Sequence, residues 1–138
     1  MLVVDASLAV ELSLDRVGEQ ASAGLDDGGQ LIAPPLLWSE VPSVLHEMAF
    51  RGDISDVLAE LGLQRFLAGK LSIGEQRPDD LTTAAWEVAE EFGWAKTYDA
   101  EYVALARAKD CRLVTVDGRL RRGADRLGFV VTPAELLR

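Results

Sequence analysis

The amino-acid sequence predicts one α/β domain over residues 1–138, in which helices flank both faces of a mostly parallel central sheet. Short apolar runs of strand length alternate with longer segments whose apolar residues recur at helical spacing. A chain of 138 residues suits one domain and can bury a hydrophobic core without disulfide bonds. No internal repeat, low-complexity tract or linker-like stretch divides it.

The first half of the chain contains two predicted strands and four predicted helices. Apolar runs predict strands over 2–4 and 31–33, and Pro34-Pro35 ends the second of them. Helical spacing predicts helices over 7–14, 17–25, 36–50 and 54–67. The Asp-Asp-Gly-Gly sequence at 26–29 ends the second helix, and Ser55 is a suitable N-cap for the fourth. Pro42 lies inside the third pattern, either in its first turn or as a kink, because proline lacks an N–H.

The second half repeats the alternation with three strands and three longer helices. Strands are predicted over 71–73, 113–116 and 129–131, the middle one rich in β-branched residues. Helices are predicted over 79–92, where Gly93 ends the pattern, and over 99–108 and 118–127. A short terminal helix follows Thr132-Pro133, since proline is tolerated at the first helical position.

Acidic residues outnumber basic ones by 23 to 14, which gives a net charge of −9. This balance argues against a protein that coats nucleic acid through a basic surface. Seven of the 14 basic residues nevertheless lie between positions 107 and 126. Such a segment can hold a phosphate backbone locally, and the acidic remainder can also bind a basic partner protein.

Cysteine usage and the first residues predict a cytoplasmic protein without a membrane segment. Cys111 is the only cysteine, so no internal disulfide and no cysteine-based metal site can form. The N-terminal run lacks a positive region, contains Asp5 and is too short to span a bilayer. His46 is the only histidine, which leaves a catalytic triad or a zinc site without support.

Two aspartates follow predicted strands directly. Asp5 comes after Leu2-Val3-Val4, and Asp117 comes after the strand over 113–116. In open α/β sheets, ligands bind beyond the carboxyl ends of the strands. Each aspartate could instead be a simple N-cap of the helix that follows it. Two further acids, Glu40 and Asp99, lie on apolar helix faces, and Asp99, which opens its helix, is expected to face a cleft. Glu40 could instead be an exposed helix residue, and Asp99 could simply cap its helix.

Four carboxylates in one place would repel one another, and their pKa values would rise unless a cation neutralised them. Hard oxygen ligands favour Mg²⁺, with Mn²⁺ as a possible substitute. One or two such ions can activate water and stabilise a phosphoryl transition state. Taken together, Asp5, Glu40, Asp99 and Asp117 therefore predict a metal site for phosphodiester hydrolysis, in which any of the four could be the general base.

The four acids stand in the segments VVDAS, PPLLWSEV, TYDAEYVALA and LVTVDGRL. In this order, and over nearly the whole chain, the segments resemble the PIN-domain family. Within that family, the length of the chain and the spacing of the acids resemble the VapC-type toxins of bacterial toxin–antitoxin pairs. The resemblance implies an α/β/α sandwich, a Mg²⁺-dependent endoribonuclease, a homodimer and a cognate antitoxin. It implies catalytic roles for the four acids, with Asp5 and Asp99 as the principal metal ligands. Thr115 and Ser7 match positions that support the site by hydrogen bonding, whereas Pro42 departs from the helix former expected after Glu40.

Arg119, Arg121 and Arg122 follow the last acid closely and have two possible roles. They could grip RNA phosphates beside the metal site, or they could form an ordinary solvated helix face. Two alternatives to the ribonuclease also stay open: a non-catalytic PIN-fold interaction module and a metal-dependent DNA nuclease. Neither a GxGxxG sequence nor a P-loop occurs, so a nucleotide-binding fold has no motif support.

Overall fold

Five short parallel strands form the centre of the computed structural model, which describes residues 1–137. Their order across the sheet is β3-β2-β1-β4-β5, and every neighbouring pair is parallel. The strands are β1 (Leu2–Val4), β2 (Leu31–Ala33), β3 (Ile73–Glu75), β4 (Arg112–Val114) and β5 (Val130–Val131). The predicted parallel α/β fold is confirmed.

Seven α-helices and two 3₁₀ helices lie within residues 1–137. The α-helices are α1 (Ala6–Ser13), α2 (Glu19–Asp27), α3 (Leu37–Phe50), α4 (Asp56–Leu67), α5 (Leu81–Phe92), α6 (Tyr98–Ala108) and α7 (Gly118–Gly123). The 3₁₀ helices cover Asp125–Leu127 and Pro133–Leu137. None of the helices in this part of the chain has both the length and the apolar composition that a membrane span requires.

Most predicted elements agree with the structure to within two residues, but the strand predicted over 113–116 ends at Val114, so Asp117 follows it by three residues rather than directly. The third strand begins at Ile73 rather than at Leu71, because Ser72 has a left-handed backbone (φ 52°) that an extended strand cannot include. The helix predicted over 118–127 stops at Gly123, and Ala124 (φ −107°, ψ 13°) separates it from the 3₁₀ helix. Pro42 lies inside α3, beyond its first turn, and the helix continues to Phe50.

Strand order places a crevice at the carboxyl ends of β1 and β4. From β1 the chain moves towards β2 and β3, whereas from β4 it moves in the opposite direction to β5. Right-handed crossovers put the connecting helices of these two halves on opposite faces, and the crevice opens where the direction reverses. Val3, Val4 and Val114 are completely buried, and α6 packs against both strands. This packing fixes the backbone from which the next residues of each strand project.

Candidate active site

Asp5 directly follows β1 and is only 4% exposed. Its side chain is the N-cap of α1, where Oδ1 accepts hydrogen bonds from the Leu8 amide at 3.0 Å and from the Ser7 hydroxyl at 2.8 Å. The other oxygen, Oδ2, accepts a hydrogen bond from the Thr115 hydroxyl. Asp5 therefore does act as an N-cap, but the cap uses only one of its two carboxylate oxygens.

Burial raises the pKa of Asp5 to about 6 from an ordinary value of 3.8. The hydrogen bonds from Thr115, Leu8 and Ser7 oppose this shift, because each stabilises the charged form. The negative charge of Asp99 adds a smaller push in the same direction as burial. A cation near Asp5 would therefore stabilise the charged form of this buried carboxylate.

Thr115 and Ser7 join the end of β1 to the end of β4. The Thr115 hydroxyl accepts a hydrogen bond from the Asp117 amide at 3.0 Å, and the Ser7 hydroxyl accepts one from the Val116 amide at 3.2 Å. The two hydroxyls lie 3.2 Å apart, and Thr115 is completely buried. These contacts hold Asp5 and Asp117 in a fixed relation.

Glu40 lies in the first turn of α3 and is half-buried. Its Oε1 accepts a hydrogen bond of 2.6 Å from the hydroxyl of Tyr102, which is 1% exposed. Burial raises the pKa of Glu40; the Tyr102 bond lowers it, and the charges of Asp99 and Glu101 raise it further. Tyr102 did not emerge from the sequence, although its position three residues after Asp99 places both on one face of α6.

Asp99 and Asp117 share one basic neighbour. The Arg119 guanidinium lies 3.7 Å from Oδ2 of Asp99 and 3.8 Å from Oδ2 of Asp117. Burial raises the pKa of Asp99, Arg119 lowers it, and the charge of Asp117 raises it. Asp117 is also the N-cap of α7, since its Oδ1 accepts a hydrogen bond from the Arg119 amide at 2.9 Å.

The four predicted acids thus act on one another electrostatically. Asp99 raises the pKa values of Asp5 and Glu40, and Asp117 raises that of Asp99. Within residues 1–137, no three ligand-type side chains converge closely enough to hold an ion in this conformation. Arg119 carries the positive charge between Asp99 and Asp117. The donor set nevertheless suits a hard divalent cation, because it consists of carboxylate oxygens with an unbalanced negative charge.

A cleft of about 630 Å³ opens beside these acids. Glu40, Asp99 and Arg119 line one part of it, and Lys96 and Tyr98 line another. Lys96 and Tyr98 did not emerge from the sequence as site residues. Only their closeness to Asp99 along the chain could have indicated them.

The three arginines of the last helical segment have different surroundings. Arg121 donates hydrogen bonds of 3.0 Å to both carboxylate oxygens of Glu135 and one to Asp125. These bonds join α7 to the C-terminal 3₁₀ helix, and Arg121 does not line the cleft. Arg122 is exposed and lies over Gly118, outside the cleft. Arg119 alone of the three lines the cleft.

Known proteins resemble this chain in both sequence and fold. It is 33% identical to the VapC ribonuclease Mb0985 of Mycobacterium bovis and to ribonuclease VapC9 of Mycobacterium tuberculosis, over 87% of this chain and 88% of each relative. Among solved structures, PAE2754 from Pyrobaculum aerophilum has a TM-score of 0.71 at 23% identity, covering 99% of this chain and 91% of its own. A toxin-antitoxin complex from Klebsiella pneumoniae has a TM-score of 0.66 at 18% identity, covering 96% and 98%. Residues 2–126 match the PIN domain family, to which this chain therefore belongs.

Proposed function

We propose that this protein is a divalent-metal-dependent endoribonuclease and the toxin of a toxin–antitoxin pair. The observation that carries the proposal is that charge interactions, which shift pKa values within the group, link Asp5, Glu40, Asp99 and Asp117, and that Glu40 and Asp99 line a cleft. Three of these acids have pKa values raised first of all by burial, a condition that a bound cation would relieve. The relatives that are named VapC ribonucleases support the same activity.

The bound ion, Mg²⁺ or Mn²⁺, would stabilise negative charge on the cleaved phosphate and polarise the attacking water. Asp5 and Asp99 would hold it principally, while Glu40 and Asp117 would complete the site directly or through waters. Ser7 and Thr115 keep Asp5 oriented, and Tyr102 keeps Glu40 oriented. Arg119 would turn from the two aspartates to an RNA phosphate once a metal ion neutralises them.

We also propose an antitoxin as the protein partner and a homodimer as the assembly. A toxin-antitoxin complex is among the solved structures that share this fold, and the curated relatives bear VapC names. A bound antitoxin would control an activity that destroys cellular RNA. Growth arrest on expression, relieved by co-expression of that partner, is the expected behaviour.

The proposal is tested by incubating the purified, antitoxin-free protein with a mixed RNA pool, in Mg²⁺ or Mn²⁺ and in EDTA. Single-stranded and duplex DNA are run as alternative substrates. Asp99→Asn should lose cleavage, which excludes a contaminating nuclease. Asp26→Asn is the matched control, because Asp26 is an exposed aspartate on α2, outside the cleft.

Cleavage of RNA that requires the metal and is lost only in Asp99→Asn would support the proposal. Preferential cleavage of DNA would instead favour a DNA nuclease. If the folded wild type binds Mn²⁺ but cuts none of the substrates, the endoribonuclease proposal is wrong. Absence of both metal binding and cleavage would favour the non-catalytic interaction module.

A further inference from the structure

Tyr98 is an exposed aromatic residue at the wall of the cleft. It is the first residue of α6, it precedes Asp99 directly, and 53% of its surface is exposed. The helix that carries it is anchored by completely buried residues, among them Ala100 and Val103. The backbone of Tyr98 is therefore held firmly, and the next residue in the chain, Asp99, is a proposed metal ligand.

Two cations line the same cleft. Lys96 is exposed, and within residues 1–137 no carboxylate lies within ion-pair distance of its ammonium group. The Arg119 side chain is 81% exposed, and its two ion pairs, at 3.7 and 3.8 Å, are long. Exposed pairs of this kind bind weakly, so the guanidinium can exchange one partner for another. In a chain of net charge −9, these two cations beside an acidic site point to an anionic ligand.

The other aromatic residue of the cleft is already engaged. Trp94 stacks on Phe92 with ring centroids 4.9 Å apart and an interplanar angle of 25°. The Arg126 guanidinium lies 4.1 Å from the centroid of the Phe92 ring. This stack stiffens the wall of the cleft, whereas no ring within residues 1–137 stacks on Tyr98. Tyr98 is thus the ring that a ligand can reach.

We propose that Tyr98, Lys96 and Arg119 form the binding subsite for a single-stranded segment of the RNA. This inference rests on the proposed ribonuclease function and deepens it. Aromatic rings stack on unpaired bases, and neighbouring cations hold the phosphates of the same strand. Tyr98 stacks on a base next to the cleaved bond, and Lys96 and Arg119 contact the adjoining phosphates. A base-paired nucleotide cannot offer its face to Tyr98, so the subsite selects unpaired RNA.

The test measures RNA binding without cleavage, in the Asp99→Asn background and in EDTA. The probes are a short fluorescein-labelled single-stranded RNA of mixed sequence and the duplex that it forms with its complement. Tyr98→Ala should weaken single-strand binding by roughly 5- to 150-fold, the range for loss of one stacked base. Tyr98→Phe should retain the affinity. Trp86→Ala is the matched control, since Trp86 is 62% exposed on α5 and outside the cleft.

Lys96→Gln tests the phosphate contact. It should weaken binding to all sequences alike and lower the slope of log affinity against log salt by about 0.7. Lys70→Gln, at an exposed lysine of the α4–β3 loop, should leave the slope unchanged. An unchanged slope for Lys96→Gln would remove Lys96 from the subsite.

Equal affinity of Tyr98→Ala and its parent for single-stranded RNA would overturn the inference. So would a loss in Tyr98→Phe as large as in Tyr98→Ala, because the hydroxyl and not the ring would then bind. A change of oligomeric state in Tyr98→Ala with unchanged RNA affinity would assign the ring to a contact between copies. If the wild type cleaves RNA in any of these cases, only the subsite is wrong. If it neither binds nor cleaves RNA, the proposed function itself fails.

Discussion

Replacing Asp5 by Asn is predicted to abolish cleavage and to stabilise the metal-free protein above about pH 6. Burial raises the pKa of Asp5 to about 6, against 3.8 in an unfolded chain. The folded state therefore holds this proton more tightly than the unfolded state. The stability that the neutral carboxyl group contributes is complete below 3.8 and is lost as the pH rises through 6. The difference between the two pKa values corresponds to a loss of about 3 kcal/mol in the free energy of unfolding.

Asparagine has the shape of aspartate but carries no charge, so it avoids this penalty. Its carbonyl oxygen can still accept hydrogen bonds from Ser7 and the Leu8 amide, and its amide can donate one to the Thr115 hydroxyl. Some charge-assisted hydrogen bonding is lost, which reduces the gain. We expect a free energy of unfolding higher by about 1–3 kcal/mol at neutral pH, or a Tm higher by about 3–10 °C.

The measurement is thermal or urea unfolding of both proteins in EDTA, between about pH 5 and about pH 8. The advantage of Asp5→Asn should grow as the pH rises from about 5 through the folded-state pKa of about 6 and then level off, and the exposed control Asp26→Asn should show no such trend. Added Mn²⁺ should stabilise the wild type more than Asp5→Asn, because binding to the folded state stabilises it. An Asp5→Asn protein that is less stable than the wild type across this range would refute the reasoning from burial.

Three further predictions concern single contacts. Tyr102→Phe should cost about 1 kcal/mol and lower the metal-dependent cleavage rate, because Glu40 loses its only side-chain hydrogen bond within residues 1–137. Denaturant unfolding and a rate measured over a Mn²⁺ titration check this. Arg121→Gln should lower the Tm and leave RNA binding unchanged, because Arg121 pairs with Glu135 away from the cleft. Ser55→Ala should cost about 1 kcal/mol through loss of the α4 N-cap and leave cleavage unchanged.

Each of these has an outcome that contradicts it. Full activity of Tyr102→Phe at every Mn²⁺ concentration would show that Glu40 needs no fixed orientation. Weaker RNA binding by Arg121→Gln with an unchanged Tm would return this arginine to the RNA-contacting role. A loss of cleavage in folded Ser55→Ala would mean that α4 is coupled to the site through α1 and α3, against which it packs.

Much of the fold follows from local sequence. Apolar runs of strand length separated by helical segments predict parallel strands, because each strand must be covered on both faces. The exceptions are positions where backbone conformation departs from the pattern. Ser72 adopts a left-handed φ that delays β3, and Ala124 interrupts the helix predicted over 118–127. Neither residue type indicates such a conformation in a single sequence.

The sequence by itself determined the places of the acids along the chain. Asp5 directly follows an apolar strand, Asp117 follows an apolar run that begins in a strand, and the segments around all four acids resemble the PIN-domain family to which the chain belongs. The resemblance also implied that Thr115 and Ser7 support the site by hydrogen bonding, but only the tertiary structure decided which acid each side chain meets, and it alone revealed Tyr102. Thr115 is 110 residues from Asp5, and Tyr102 is 62 residues from Glu40. Contacts over such separations depend on strand order and helix packing, which single-sequence patterns do not encode.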